Sequence, residues 1–463
     1  MEKAFAQWPR SLWSEESVRW NFPEFSSSES FDVVIIGAGY SGLWTAHHLL
    51  DLNPSLSIAI LDAQQPGFGA SGRNGGWCSA FAPISLEAVA AQSSTASAID
   101  LQNALSSSID EIGNFVTDSL TDCGWNKGGT LSFATNRPQL QRIHETIAMA
   151  RKFGFDEQFV DFITPEQVNE RLRTPSSLGA SYSPHCAVVH PARLVDGLVK
   201  TLLDRKVQFF GDTRVVQIEP HQARAQTSQG SVSVTGKWIV RATEGFTARM
   251  KQYRRDVAPL YSYMIATEPL SQSQWDDIGW TNRETVSDGR NLVIYTQKTS
   301  DGRIAFGGRG APYKFASRIG SQFDYNARIH SLIENSMRTM FPAIGDSEVT
   351  HKWGGALGVH RDWFTAALID QRTNIATLGG YVGDGVAFSY VAAKEVARSI
   401  HGTSIEYKPL PIVNHISRRW EPEPFRFIGI NSILRLTENA DKTEQKKNRN
   451  NRLIDWLLRK LIP

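Results

Sequence analysis

Residues 31–42 read FDVVIIGAGYSG, and no other stretch restricts the fold of this chain as tightly. Val33, Val34, Ile35 and Ile36 form an unbroken β-branched run of the kind that fills a strand buried on both faces. Gly37, Gly39 and Gly42 follow at GxGxxG spacing, and AGYSGLWTAHHLLD continues as a helix. The first glycine permits a tight turn, the second lets the backbone approach a pyrophosphate, and the third lets helix and strand pack closely. SLSIAILD then supplies a second buried strand ending at Asp62, which completes a strand–helix–strand unit. The helix start offers N–H groups and partial positive charge to phosphate. Asp62 stands at the spacing of a carboxylate that accepts hydrogen bonds from a ribose 2′-hydroxyl. The pattern predicts a bound dinucleotide and leaves NAD, NADP and FAD open.

Two further glycine loops narrow that choice. GFGASGRNGGWC, residues 67–78, holds five glycines in twelve residues, and each loses more backbone freedom on ordering than any other residue would. With Ser71, Arg73 and Asn74 interleaved, such a loop can follow the length of an extended cofactor. A nicotinamide cofactor leaves after each turnover and has little need of so long a cradle; a tightly held flavin does. Near the end of the chain, LGGYVGDGVAFSYVAAKEVA places Gly379, Gly380, Gly383 and Gly385 before a small-residue helix that opens at Val386. The N-terminus of that helix suits the negative charge of a reduced flavin ring.

The rest of the chain bounds the possibilities. Forty-nine basic and 47 acidic residues give a formal net charge of +2, so no global field recruits nucleic acid. Cys78, Cys123 and Cys186 make neither a CxxC pair nor a disulfide framework, which fits a reducing compartment. The N-terminus lacks an apolar signal core and no stretch is apolar enough to span a bilayer, so the expected location is cytoplasmic. Trp8, Trp13, Trp20, Phe22 and Phe25 mark residues 1–30 as an aromatic arm packed across the body. Residues from Ser85 to Asp161 read as helical. From Pro259 to Gly308 the segments YSYMIAT, NLVIYTQ and GRIAFGG alternate as antiparallel strands with one exposed face.

GAGYSG, GFGASGRNGG and GGYVGDGV, together with HPARLVDGLVKTLL, IVRATEGFT, YMIATEPL and WGGALGV, resemble the FAD-dependent amino-acid and amine oxidoreductases of the D-amino-acid oxidase type. The likeness is greatest to the branch of gamma-glutamylputrescine oxidoreductase and spans roughly residues 30–420. It implies an α/β chain, α+β overall. A Rossmann-like FAD-binding domain (31–84, 185–255 and 350–405) would carry a discontinuous second domain (85–184 and 256–349) built on an antiparallel sheet, with 406–463 as a C-terminal extension. It also implies a noncovalent FAD. Gly37, Gly39, Gly42 and Asp62 would hold its AMP half, with Val215 on the adenine side. Ser71, Arg73, Asn74, Gly75 and Gly76 would run along the pyrophosphate toward the ring, and Gly380, Gly383, Gly385 and Val386 would hold the pyrimidine edge. Two positions depart from the family pattern: Asp62, where glutamate is commoner, and Asp384, where histidine is frequent.

The reaction so implied removes a hydride from the carbon alpha to an amine nitrogen, delivers it to flavin N5 and leaves an imine that hydrolyses; no protein base is required. Oxygen or a quinone would reoxidise the flavin. A flavin-binding accessory protein of the same fold is the alternative from another class. Candidate pocket residues are Arg309 and Arg361 for a substrate carboxylate, Tyr261 and Tyr263 on the roof, His360 and His190, and Lys298 for oxygen reduction. His185, Cys186 and His190 lack a second cluster to complete a metal site. Cys78 adjoins the second loop, yet the resemblance implies no covalent link. ENADKTEQKKNRNN reads as a mobile charged linker. RLIDWLLRKLIP after it reads as a basic amphipathic helix able to lie on a membrane or dock a partner.

Overall fold

A computed structural model of the chain describes residues 11–26, 29–175, 177–308, 310–402 and 407–450. Strands β1 (Ser30–Ile36), β2 (Ile58–Leu61), β3 (Gln208–Phe210) and β4 (Gly230–Arg241) run parallel in the order β4, β1, β2, β3. Ile375–Gly379 adds a further parallel strand beside β4, and Ala366–Asp370 closes that edge antiparallel. Both faces of β1 are covered, which is what its β-branched run requires. Val33 and Ile35 join a core with Leu43 and Trp44 of helix α1 (Tyr40–Leu52) and Val391 of helix α2 (Gly385–His401). Val34 and Ile36 point the other way, into a core with Phe25, Ala59 and Ile218.

The second sheet is also eight-stranded. Its centre is formed by β5 (Ala258–Thr267), β6 (Ile294–Lys298), β7 (Ile304–Gly308) and β8 (Val349–Val359), in the spatial order β8, β5, β7, β6. Beyond β6 follow Thr285–Asp288, Thr130–Phe133, Ala180–Ser183 and Asp161–Ile163. The sheet is not wholly antiparallel, because Thr285–Asp288 pairs parallel with Thr130–Phe133.

Several sequence expectations are corrected here. β5 has no exposed face: Tyr261, Tyr263 and Ile265 pack with Ile333 and Met337 of helix Ala327–Met340, while Met264 and Ala266 pack with Trp13 and Trp353. Alternation reports two sides of a strand and cannot foresee that a distant arm covers the second one. The span Ser85–Asp161 contains helices Leu86–Gln92, Thr95–Asp118 and Arg137–Lys152, but Thr130–Phe133 is a strand, too short for its period to register. Helix Thr95–Asp118 packs through Leu101, Leu105 and Ile109 into the core of α1 and α2 rather than under the roof sheet, since periodicity marks a buried face without naming its partner.

Over residues 11–26 the arm packs as its aromatics imply, while Trp8 lies outside the described residues. Trp13 and Phe25 are buried, and Trp20, Phe22 and Phe209 stack in sequence at 5.7 and 4.9 Å. The charged linker is, by contrast, mostly helical. Its first ten residues end helix α3 (Phe425–Lys447). Glu444 takes a bidentate pair of bonds from Arg142 at 2.9 and 2.6 Å, and Asp441 accepts from the backbone N–H groups of Asn291 and Leu292. Hydrophilic composition suggested solvation, but these acids share one helical face that meets donors of the roof. The amphipathic segment after it lies outside the described residues.

Candidate functional site

The carboxyl ends of β1, β2 and β4 open into a cavity of about 500 Å³ between the two sheets. This is the edge of an open α/β sheet at which ligands bind. Gly37 has φ +109°, and a Cβ there would stand 2.5 Å from Ala242 O; a Cβ at Gly42 would meet Gly37 O at 2.0 Å. The turn and the close packing thus both need glycine. Tyr40 N, at the start of α1, donates to Ser71 Oγ at 2.9 Å, so the second glycine loop clasps the first. The Asp62 carboxylate is anchored by N–H bonds from Ala38 and Gln64, both at 2.8 Å, and burial raises its pKa against their pull. Val215 lines the cavity near Asp62, and at another part of the wall stand Gly383, Gly385 and Val386. There the Ser41 and Tyr381 hydroxyls meet at 2.7 Å and join α1 to the third loop.

The cavity wall thus brings together Gly37, Gly39, Asp62, Ser71, Asn74, Val215, Gly383, Gly385 and Val386. Gly42, Arg73, Gly75, Gly76 and Gly380 stand outside that lining. Arg73 forms an ion pair with Asp324 and donates to Phe68 O and Gly354 O. A Cβ at Gly75 would meet the Tyr295 ring at 2.7 Å, one at Gly76 would meet Gln297 Nε2 at 2.0 Å, and one at Gly380 would meet the His360 ring at 2.3 Å. The roof therefore accounts for two glycines of the second loop. Four successive carbonyls of that loop are held from outside: Gly72 O by Ser11 Oγ (3.3 Å), Arg73 O by Trp353 Nε1 (2.9 Å), Asn74 O by Trp13 Nε1 (2.9 Å) and Gly75 O by Gln297 Nε2 (2.7 Å). Trp13 and Trp353 meet edge to face at 6.1 Å. Arm and roof together fix the path of the loop.

The substrate candidates lie away from the cavity wall. The Tyr261 hydroxyl accepts from Gly320 N and that of Tyr263 donates to Phe323 O, so both rings face the helical cover of the roof. Arg361 pairs with Glu421 over the Trp420 ring. His360 Nδ1 bonds Phe364 O at 2.7 Å, and Lys298 Nζ sits 4.0 Å from the Trp275 ring centroid. His190 caps helix Pro191–Asp204 by accepting from Arg193 N, packs on Trp13, and has its pKa lowered to about 4, chiefly by burial. Arg309 lies outside the described residues.

Sequence reasoning missed Glu244, Phe246, Arg249 and Tyr381, all in the wall. Glu244 opens the 3-10 turn Glu244–Arg249 that follows β4, with φ +41°, and Gly358 N donates to its carboxylate at 2.5 Å. Burial pushes its pKa up to about 7 despite bonds from backbone N–H groups. Its place in IVRATEGFT, just after Ala242 and Thr243 that close on Gly37, was the available signal. Arg249 donates to Ile319 O at 2.6 Å and lies over the Phe246 ring. Burial also raises Asp384 to about 7; it occupies the N-cap position of α2 without a side-chain cap bond. None of the three cysteines lines the cavity, and burial raises the Cys78 thiol well above its ordinary pKa. Among the described residues no group of His, Cys, Asp and Glu is arranged to hold a metal ion.

Comparison with known proteins agrees with this geometry. The chain is 26% identical over 388 residues to the probable oxidoreductase OrdL of Haemophilus influenzae, covering 82% of this chain and 85% of that protein. It is 23% identical over 408 residues to the gamma-glutamylputrescine oxidoreductase of Escherichia coli, covering 85% and 89%. The crystal structure of glycine oxidase from Geobacillus kaustophilus superposes with a TM-score of 0.69 at 18% identity, over 84% of this chain and all of that one, a likeness of fold. The family model described as DAO, FAD dependent oxidoreductase, matches residues 32–399, and the chain belongs to that family.

Proposed function

We propose that this protein oxidises a primary or secondary amine or an amino acid, with FAD held noncovalently in the cavity, and releases an imine that hydrolyses in water. The observation that carries the reading is the convergence of the Gly37–Gly39 turn, Asp62, Ser71 and the Gly383–Val386 turn on one cavity roofed by β8. A volume of about 500 Å³ lies within the range of small-molecule and cofactor sites. The residues fit the group: Asp62 would accept from the ribose, the start of α1 would receive the phosphates, and the start of α2 would hold the pyrimidine edge. The relatives named for gamma-glutamylputrescine and for glycine support an amine or amino acid as substrate.

When bound, FAD supplies the two-electron acceptor. The chain's own part is to bind, orient and exclude water. Ala356 and Leu357 of β8, with Phe246, present apolar walls that keep the reacting carbon dry. Glu244 in the cavity wall and Asp384 at the start of α2, both pushed up to about 7 by burial, would limit negative charge beside a bound flavin. The test is anaerobic mixing of the holoprotein with a panel of amines and amino acids. Loss of visible flavin absorbance with at least one of them is expected. Inertness to the whole panel, with bleaching by NADPH or with a stable protein partner instead, would overturn the reading.

A further inference from the structure

The start of α3 and the loop beneath it expose a group of large apolar side chains: Phe425 at 67%, Ile428 at 57%, Phe315 at 45% and Phe427 at 37% relative exposure. Phe315 and Phe427 meet edge to face at 5.7 Å, and Phe425 and Ile428 are one turn apart, so the four form one patch. They line neither the cofactor cavity nor the smaller hollows under Trp13 and beside Arg137.

Exposed arginines stand on the segments that adjoin them. Arg318 donates to Phe315 O. Arg254 and Arg255 are tied to the segment leading into α3, because Arg255 and Trp420 bond each other and Arg426 donates to Arg254 O. Arg418 and Arg419 stand exposed in that same segment. The nearby acids are already engaged: Glu421 with Arg361, Glu423 with Arg426, the Tyr313 hydroxyl and Ala316 N, and Asp256 with Arg241 and, at 3.9 Å, with Arg419. Arg241, Arg361 and Arg426 balance those three acids, so the exposed arginines leave a net positive surface beside the apolar side chains.

We infer that this patch docks the protein on an anionic lipid surface. Phenylalanine and isoleucine side chains entering the headgroup boundary bury apolar area, and each cation held near an anionic bilayer strengthens partition by about fivefold. A second copy of the chain would bring like charges together, and a patch that lines no groove suits a fluid surface. Among the described residues no helix is long and apolar enough to cross a membrane, so the contact is peripheral.

The test is flotation of the full-length holoprotein with vesicles of phosphatidylcholine alone or of phosphatidylcholine with phosphatidylglycerol, at low and high salt. Binding to the anionic vesicles that high salt weakens is expected. It should fall at least about tenfold in Phe425→Ser/Ile428→Ser and in Arg254→Glu/Arg418→Glu, with flavin content and melting temperature unchanged. The inference is overturned if wild type ignores anionic vesicles, if both folded variants float as wild type does, or if an acidic protein occupies the patch while vesicles do not compete.

Discussion

At the residue scale, Glu244 is the wall group whose chemistry is most exposed to test. Its carboxyl ordinarily titrates near 4.5 and is raised to about 7 in the folded chain. Between those values the folded state keeps a proton that the unfolded state has lost. The group's contribution to stability is therefore complete below pH 4.5 and is lost as pH rises through 7, a span worth at most about 3 kcal/mol. Asp384 adds a loss of the same sign. Glu244→Gln keeps an acceptor for Gly358 N and removes the titration. Thermal melts from pH 4 to 9 at fixed flavin loading should show a shallower decline in the variant, and an unchanged slope would remove Glu244 from the account. Gly37, Gly39 and Asp62 were legible in the sequence because their spacing is tied to a turn between strand and helix. Glu244, a single acid in the turn after β4, has no such spacing, only the short segment IVRATEGFT around it. Tyr261 and Tyr263 mislead for a related reason: alternation places them on one side of β5 without saying which side faces the cavity.

At the element scale, the arm is the feature with a consequence beyond packing. Trp13 donates to Asn74 O from a buried position, and Trp353 does the same for Arg73 O, so two elements far apart in sequence share the shaping of one loop. Trp13→Phe keeps most of the packing and leaves a part-buried carbonyl without its donor, which costs about 1 kcal/mol. The expected outcome is a lower melting temperature together with weaker FAD binding and an altered flavin spectrum, read by titration of FAD into the flavin-free protein. A variant with lower melting temperature but wild-type flavin affinity and spectrum would reduce the arm to packing. Arm burial could be read from its aromatics, since so much apolar surface is rarely left in water. Its target could not. α3 was hidden for the opposite reason: charged residues suggested a solvated tail, whereas Asp441 and Glu444 meet Asn291, Leu292 and Arg142 across the roof.

At the scale of the whole molecule, a parallel sheet and a roof sheet enclose one cavity at the end where glycine loops interrupt strands and helices. The parallel layer was legible because strand, glycine turn and helix recur in order along the chain. The roof was less so, since its eight strands are scattered from Thr130 to Val359 and include a parallel pair. The central claim is that this cavity holds FAD without a covalent bond, and the visible absorbance of the purified protein, repeated on the supernatant after acid precipitation, tests it directly. Flavin bands that pass into the supernatant are predicted. A colourless protein that takes up no added FAD would contradict the claim, as would bands that stay with the pellet.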